Sequence, residues 1–415
     1  MKTSISLALA LTLATTLATT ATTGPAAADD RADDGAPAVR DWNVVAMTTL
    51  VTAATPVPEQ PLHLAAVHRA VYDAVLAVGE HPQHTTVVAA VGAAAHTVLV
   101  AEFPGQVARL DTALAAALMG TDGGPALTAG LTAGRAAAAT VLQERSGDHR
   151  NGPTVPVPPA GPGVWVPTPP NSIGASSWLG GVRPFVLESG SQERPDGPPA
   201  LDSSRWARDY DETRLLGSAS STLRTAEQTE VARFWADPPL VQNQRALRGY
   251  TERSRMSTLR TAQLFALADT ASADALIACW DAKYHFELWR PFSAVPNGDT
   301  DGNPRTPADP AWRPLLPTPN FPEYPSAHSC STTAIATVVA ALAPSERFDL
   351  TIDSTTTGTV HRFTSVRQLT DEVADARVWG GLHWRFSTDD GTRIGRAVAR
   401  SVLRTTEERA DEQDD

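Results

Sequence analysis

The sequence predicts an all-α protein, and three observations support this fold class. Apolar residues recur three and four positions apart through most of the chain, which is the spacing of helices that bury one face. Several of these segments are rich in alanine, which has a high helix propensity. Only residues 348–352 and 359–363 have the composition of strands, and they predict one small β-hairpin. With 415 residues, the chain can form one large domain or two smaller ones.

Five helices are predicted in the N-terminal part of the chain. They cover residues 41–54, 62–78, 86–102, 106–119 and 126–143. The periodic pattern stops from residue 147 to 202, where proline and glycine accumulate around Trp165 and Trp178. Because long unstructured connections are uncommon inside compact domains and this one carries two large aromatics, we predict a loop that wraps around the protein rather than a linker.

Helical periodicity returns after residue 203. The predicted helices cover residues 203–216, 225–237, 243–273 (as one helix or two), 275–289, 326–342, 365–378 and 388–408. A second Pro-rich loop is expected at residues 291–324, and the acidic residues from 407 onward are expected to fray.

The first residues have the features of an export signal. Lys2 provides the positive charge, residues 5–18 are moderately apolar, and Ala26-Ala27-Ala28 precedes an acidic pair. A small-residue site of this kind predicts cleavage after residue 28, although a disordered tail is the alternative. No later segment has 18 uninterrupted apolar residues, so we expect a mature protein without a membrane span that works outside the cytoplasm.

Charge and cysteine content exclude several classes of protein. The chain has 34 Lys and Arg against 46 Asp and Glu, a formal net charge of -12. This balance argues against nucleic acid or an anionic membrane as the main partner. With only Cys279 and Cys330 present, no disulfide framework holds the fold together. The two cysteines are expected either to form a single bridge or to be buried free thiols.

Three short motifs in the C-terminal half carry the functional information. They are Lys283-x6-Arg290-Pro291, Pro325-Ser326-Ala327-His328 and Arg377-x5-His383. Phosphate or vanadate needs several fixed positive charges and N–H donors before it leaves water. Lys283, Arg290 and Arg377 supply such charges, and His383 can bond the central atom. The motifs together predict a site for a tetrahedral oxyanion.

The spacing within each motif suggests how its residues converge. Seven residues make almost two helical turns, so Lys283 and Arg290 are expected to project from one helix face, with Pro291 ending that helix. Ser326 is expected to cap the next helix, whose first N–H groups favour anions.

The third motif requires a break in its helix. Arg377 and His383 lie six residues apart, about 240° around a helix, so on one continuous helix they would diverge. Gly380-Gly381 is expected to break the helix and bring them together.

The motifs closely resemble the signature shared by vanadium-dependent haloperoxidases and type 2 phosphatidic acid phosphatases. The secreted bacterial haloperoxidases are the better match. Residues 321–328 (FPEYPSAH) resemble their active-site loop, and residues 380–386 (GGLHWRF) resemble the segment with their metal-binding histidine. The resemblance implies two four-helix bundles. We therefore divide the chain into a signal peptide (1–28), an N-terminal bundle (39–145), a wrapping loop (146–202), a C-terminal bundle with the oxyanion site (203–408) and an acidic tail (409–415).

The resemblance also implies a role for each motif residue. His383 would bond vanadium, and His328 would be the acid–base group. The vanadate oxygens would be held by Lys283, Arg290, Arg377, Ser326 and the backbone N–H of Ala327. Lys283 would also polarise a bound peroxide. Trp280 and Phe321 match apolar positions at the halide site of the chloroperoxidase-like branch, whereas bromoperoxidases tend to carry His in place of Phe321.

Three positions depart from the pattern of the family. Ala327 stands where Gly is usual, which adds a methyl group where the backbone would approach the ion. Ala376 stands where Ser commonly precedes the arginine. Ser387 stands four residues after His383, where many relatives have Asp, so another group is expected to orient that imidazole.

The resemblance leaves three functions open. The first is a vanadium-dependent haloperoxidase, in which hydrogen peroxide oxidises chloride or bromide to hypohalous acid or halogenates a small organic acceptor. The second is a secreted acid phosphatase, because phosphate can occupy the same site; His383 would then form a phosphohistidine while His328 protonates the leaving group. The third is a catalytically silent oxyanion-binding protein. Either a monomer or a homodimer would fit all three.

Overall fold

The computed structural model describes residues 35–79, 82–343 and 348–414. These residues form thirteen α-helices and one two-stranded antiparallel sheet, which confirms the predicted all-α class with its small hairpin. The predicted signal at residues 1–28 lies outside the described residues, as do the side chains of the acidic tail.

The helices follow one another along the chain with few other elements between them. In order they are α1 (Ala36–Thr52), α2 (Gln60–Ala77), α3 (His84–Glu102), α4 (Val107–Ala117), α5 (Pro125–Glu144), α6 (Ser204–Leu216), α7 (Ala226–Phe234), α8 (Pro239–Arg253), α9 (Thr258–Phe286), α10 (Pro291–Ala294), α11 (Ala327–Ala341), α12 (Val366–Trp379) and α13 (Arg385–Asp414). Between α11 and α12, strand β1 (Leu350–Asp353) pairs with β2 (Val360–Phe363), and Leu350 faces Phe363.

Helix α9 is the axis around which the other helices pack. It contacts α2 on the N-terminal side and α11 and α13 on the C-terminal side. A single hydrophobic cluster runs through both groups of helices, from Val39 in α1 to Val402 in α13. Because the site motifs start on α9 and continue on α11 and α12, this packing places them at the centre of the C-terminal group.

Two helix boundaries near α9 differ from the prediction. Residues 243–273 belong to two helices, one of the two predicted alternatives, and the break lies at residues 254–257, where the Ser257 side chain caps α9. The break expected at residue 274 is absent, because α9 continues through it. At its other end α9 stops at Phe286, because Glu287 adopts a left-handed conformation with φ +47°. The prediction that Lys283 and Arg290 share one helix face is therefore wrong. Arg290 precedes α10, a short helix within the segment predicted to be a loop.

The Pro-rich segment between α5 and α6 packs against α9, as expected of a wrapping loop. The backbone N–H of Trp165 donates to Glu287 O at 2.7 Å, immediately after the end of α9. Further along, the carboxylate of Asp274 in α9 accepts hydrogen bonds from the backbone N–H groups of Phe185 and Val186 at 2.7 and 2.8 Å. These bonds fix the loop over the helix that carries Lys283.

Two helices, α3 and α9, are long and apolar enough to cross a membrane by length and composition. Both are mostly buried inside the protein. A helix that is buried on all sides is apolar all round, as a membrane span is. Helix α9 is apolar in this way because it lies between two groups of helices.

Candidate active site

Lys283 lies on the last turns of α9, and its side chain is completely buried. Its ammonium group donates to three backbone carbonyls of the loop before α11: Pro322 O at 2.9 Å, Glu323 O at 3.0 Å and Pro325 O at 2.5 Å. Backbone carbonyls satisfy the donors without neutralising the charge. The loop therefore holds Lys283 in place as a buried cation.

Arg290 reaches the same region from the segment after α9 and is also fully buried. Its Nε donates to Phe321 O at 2.9 Å, and its Nη1 donates to Leu382 O at 3.0 Å. The same Nη1 lies 3.2 Å from Nε2 of His383. Arg290 thus links the first motif to the third through tertiary contacts rather than through a shared helix.

Arg377 and His383 converge because the chain turns sharply between them. Helix α12 ends at Trp379, Gly380 is its C-cap, and Gly381 has φ +73°, a conformation that favours glycine. The predicted break at this glycine pair is confirmed. Arg377 is buried and donates from Nη1 to Trp235 O at 3.0 Å. Its Nε is buried without a hydrogen-bond partner among the described residues.

The second motif forms the start of α11, as predicted. Ser326 is the N-cap, and its Oγ accepts hydrogen bonds from the N–H and the hydroxyl of Ser329 at 3.5 and 3.2 Å. Its own hydroxyl proton is left for another acceptor. Ala327 and His328 follow in the first turn and line a cleft beside Arg377.

Helix α13 fixes the position of this turn by close packing. An added Cβ at Gly391 would lie 2.6 Å from Ser326 O, and one at Gly395 would lie 2.2 Å from Cys330 O. Both distances are shorter than real Cβ contacts. The two glycines therefore allow α13 to approach the N-terminal half of α11 closely enough to place Ser326 beside the third motif.

Glu323 orients His383, and sequence reasoning gave this residue no role. Its Oε1 lies 2.7 Å from Nδ1 of His383 and accepts the backbone N–H of Trp384 at 3.0 Å. Glu323 is completely buried, and His383 is almost so. Since a carboxylate at Nδ1 fixes the proton there, Nε2 of His383 keeps its lone pair and faces Arg290. Ser387 Oγ is more distant from Nδ1, at 3.5 Å.

Burial lowers the pKa of every cation at the site, and repulsion from Arg290 adds to this effect for Lys283 and Arg377. Burial is the main cause that lowers the pKa of Lys283 to about 8, of Arg290 to about 10 and of Arg377 to about 9. The pKa of His328 and that of His383 are both held well below their ordinary value by burial and by the three nearby cations. Both imidazoles are therefore neutral at pH 7.

Among the described residues, Glu323 is the one carboxylate in this cluster. Burial raises the pKa of Glu323 to about 7, while Arg290 and Lys283 oppose that rise. Three cations around one carboxylate leave an excess of positive charge in a desolvated space, which an anion would relieve.

Trp280 and Phe321, the two candidates for the halide site, contact each other and the cations. Their ring centroids are 4.8 Å apart. The ammonium of Lys283 lies 5.1 Å from the centroid of the Phe321 ring, and the guanidinium of Arg290 lies 4.9 Å from the same centroid. The two rings therefore place an apolar wall directly beside the charges. Their role toward halide stays a prediction.

Cys279 and Cys330 are two buried free thiols in the structure. Cys279 Sγ lies 3.5 Å from Pro325 O, the carbonyl that also accepts from Lys283. The thiols thus pack beneath the loop that holds the lysine.

The chemistry of these residues fits a tetrahedral oxyanion. The excess of buried positive charge, the unpartnered Nε of Arg377 and the hydroxyl proton of Ser326 suit an acceptor with several anionic oxygens. The lone pair of His383 Nε2 adds one ligand for its central atom. Among the residues that the structure describes, no group of three or more His, Cys, Asp and Glu side chains is arranged to hold a metal cation. The donor set is that of an anion site.

Comparisons with known proteins identify the same group of relatives. Residues 263–412 match the family model of the VCPO second helical-bundle domain. Vanadium chloroperoxidase of Curvularia inaequalis is 28% identical over 277 residues, which are 50% of this chain and 44% of that protein. The chain thus matches less than half the length of this relative.

Two solved bacterial structures share the fold. One, described as the first bacterial vanadium-dependent iodoperoxidase, has 24% identity and a TM-score of 0.75 and covers 89% of this chain and 96% of its own. The other, a holo-type bacterial vanadium-dependent chloroperoxidase, has 18% identity and a TM-score of 0.65 and covers 85% and 92%.

Fold and site together define a mainly helical protein of two packed helix groups, with a buried cationic centre in the C-terminal group. Residues 263–412 match the model of the VCPO second helical-bundle domain, half of the chain is similar to a vanadium chloroperoxidase, and the fold is shared with solved bacterial vanadium haloperoxidases. The resemblance drawn from the three motifs is confirmed.

Proposed function

We propose that this protein is a vanadium-dependent haloperoxidase that uses hydrogen peroxide to oxidise chloride or bromide. One observation carries the proposal: three buried cations surround His383, whose Nδ1 is held by Glu323 and whose Nε2 keeps its lone pair. The vanadium haloperoxidases to which the chain is similar give the proposal its chemistry.

Vanadate would be held by the residues that already converge. Lys283, Arg290 and Arg377 would neutralise its oxygens, Ser326 and the N–H of Ala327 would donate to them, and His383 Nε2 would bond vanadium. When bound, vanadate supplies a Lewis-acidic centre that activates hydrogen peroxide toward halide.

The protein's own groups have separate tasks in this reaction. His328 lines the cleft and is neutral, so it can accept a proton from hydrogen peroxide and return it later. Lys283 brings a fixed positive charge to the reacting oxygen, and the carbonyls of residues 322–325 keep its ammonium from moving. Trp280 and Phe321 would exclude water beside the halide.

The proposal is tested with ion-free protein and orthovanadate. We expect bromination that requires both vanadate and hydrogen peroxide and is lost in His383→Ala, while His285→Ala, an exposed histidine on α9, keeps it. In parallel, hydrolysis of p-nitrophenyl phosphate is measured with and without vanadate. Vanadate-inhibited hydrolysis without bromination would mean that the phosphatase alternative, which the comparisons do not favour, is the correct one.

We also propose that the protein works outside the cytoplasm, on the evidence of the signal-like residues 1–28. N-terminal sequencing of the protein recovered from the producing cells should find a chain that starts near residue 29. A chain that retains the leader in the cytoplasm would contradict this.

A further inference from the structure

Two buried thiols lie beside the cationic centre and have no role in the account so far. Cys279 and Cys330 are both completely buried, and the sequence contains no other cysteine. A single cysteine buried among apolar groups is inert. Two cysteines next to several cations are a different case, because positive charge favours the reactive thiolate and a second thiol can complete a disulfide.

Backbone contacts place the two cysteines at the same turn of the chain. The sulfur of Cys279, on α9, lies 3.5 Å from Pro325 O. The next carbonyl along the chain, Ser326 O, accepts the backbone N–H of Cys330 at 3.0 Å. Each thiol also shifts the pKa of the other through a hydrogen bond between their side chains. The two sulfur atoms are therefore neighbours where α9 packs against α11.

The surroundings make the two thiols unequal. Lys283 lies one turn from Cys279 on α9, and its ammonium contacts the same carbonyl, Pro325 O. Burial raises the pKa of the Cys279 thiol. The hydrogen bond from Cys330 and the charges of Lys283 and Arg290 outweigh burial and hold that pKa below its ordinary value. Burial and the bond to Cys279 hold the pKa of Cys330 well above its ordinary value. Cys279 is therefore the thiol that ionises more readily.

A small oxidant can come close to the pair from a neighbouring cleft. Trp280 and Ser331 line this cleft, and they directly follow Cys279 and Cys330 in the sequence. Val57, at another point of the lining, is exposed to solvent. The thiols thus lie behind the wall of a space that solvent enters, and a local opening of that wall admits a molecule as small as hydrogen peroxide.

From this arrangement we infer that Cys279 and Cys330 are a site of oxidation, where hydrogen peroxide converts the two thiols into a disulfide that joins α9 to the first turn of α11. The bridge would link the helix that carries Lys283 to the helix that Ser326 caps. The inference goes beyond the proposed function and does not depend on it, because it needs neither vanadate nor halide.

The reaction balances with hydrogen peroxide as the oxidant. Cys279 loses its proton and its sulfur attacks one peroxide oxygen. The O–O bond breaks, the leaving hydroxide takes up a proton to form water, and Cys279 becomes a sulfenic acid. The sulfur of Cys330 then attacks the sulfenic sulfur. The S–S bond forms as the S–O bond breaks, and the leaving hydroxide takes the proton of Cys330 to form a second water. Two thiols are oxidised by two electrons, and one peroxide is reduced to two waters.

The inference is tested on ion-free, full-length protein with hydrogen peroxide and without vanadate or halide. Because the chain has two cysteines, a count of free thiols after unfolding reports on this pair alone. We expect peroxide to remove both thiols together, the chain to lose the mass of two hydrogen atoms, and a reducing agent to restore both thiols. Proteolysis should release the peptides of Cys279 and Cys330 joined to each other.

Single variants separate the tasks of the two thiols. In Cys330→Ser, oxidation should stop at the sulfenic acid of Cys279, which dimedone labels. In Cys279→Ser, the remaining Cys330 should react with peroxide about tenfold more slowly than Cys279 does in Cys330→Ser, because it keeps its proton. Urea titrations show whether each variant is folded.

A charge variant tests the role of the lysine without touching either sulfur. Lys283→Met should slow the oxidation of the pair about three- to tenfold, because it removes a charge that favours the thiolate of Cys279. Arg260→Met is the matched control, since Arg260 lies at the far end of α9 and its guanidinium donates to Leu342 O. It should leave the rate of oxidation as it is.

Three results would overturn the inference: thiols that survive peroxide in the folded protein, conversion to sulfinic or sulfonic acids without a bridge, or an equal effect of Lys283→Met and Arg260→Met on the rate. Disulfide formation in a protein that brominates nothing would refute the proposed function alone, and the oxidation site would stand. Bromination by a protein whose thiols survive peroxide would refute only the oxidation site.

Discussion

The contact between Glu323 and His383 predicts that replacing Glu323 changes the affinities for vanadate and phosphate differently. Replacing Glu323 by Ala removes the acceptor at His383 Nδ1, which lies 2.7 Å away. The imidazole can then turn or place its proton on Nε2, and either change removes the lone pair from the site. The same substitution removes the carboxylate that lies nearest to Lys283 and Arg290 in the described part of the chain.

The two effects change anion affinity in opposite directions, and the balance between them differs for vanadate and phosphate. Loss of a residue that orients a metal-binding histidine typically weakens metal affinity by about 10- to 100-fold, which is about 1.4–2.8 kcal/mol. Loss of the negative charge strengthens the attraction for any anion. Vanadate, which would bond His383, should bind more weakly in Glu323→Ala, whereas phosphate, held by charge and hydrogen bonds, should bind at least as well as before.

Calorimetric titration of ion-free protein with each anion gives the ratio of the two affinities. Adding Ser387→Asp to Glu323→Ala should restore much of the ratio, because position 387 already places an oxygen 3.5 Å from Nδ1. Glu102→Ala is the control, since Glu102 forms a pair of equal length, 2.7 Å, with His63 in the N-terminal helices. If Glu323→Ala changes both affinities by the same factor, or strengthens vanadate binding, the reasoning is refuted.

Three further outcomes follow from the site. Between about pH 8 and 10.5, Lys283 keeps its proton in the unfolded chain and loses it in the folded protein. The free energy of unfolding should therefore rise with pH across this window. Urea titrations of ion-free Lys283→Met should lack that rise. Arg377→Ala should weaken phosphate and vanadate binding by about 10- to 100-fold, while Arg367→Ala, exposed on the same helix, should bind both normally. Gly391→Ala should push against Ser326 O and lower the free energy of unfolding by about 1–3 kcal/mol in the same titrations, and an unchanged value would show that α13 can retreat.

Local patterns predicted those parts of the site that depend on local geometry. The break at Gly380-Gly381 follows from the freedom of glycine, and the cap at Ser326 from the preference of serine for helix starts. The end of α9 was missed because Glu287 takes a left-handed conformation that nothing in its sequence neighbourhood indicates. Arg290 still reaches the site, since tertiary contacts with Phe321 O and Leu382 O fix its position.

The role of Glu323 was not predicted because the residue lies far from His383 in sequence. The family pattern pointed to position 387, four residues away, whereas the carboxylate comes from 60 residues earlier. One signal was available: Glu323 is the only charged residue between Phe321 and Ser326, in a segment otherwise built of Pro, Tyr and Phe. An acid in such a segment is expected to be buried, and a buried acid needs a partner.

The loop from residue 321 to 325 explains how the fold tolerates two of the three cations, Lys283 and Arg290, with little negative charge nearby. Its carbonyls at residues 322, 323 and 325 accept from Lys283, and Phe321 O accepts from Arg290. Carbonyl dipoles compensate the lost hydration of each cation but leave its net charge, so the centre stays positive inside a protein whose total charge is -12. A carboxylate at each cation would cancel the positive charge that the proposed anion site needs. Main-chain acceptors for Lys283 and Arg290, with Glu323 paired to His383, thus leave a net positive charge at the centre, and the proposed oxyanion site depends on that charge.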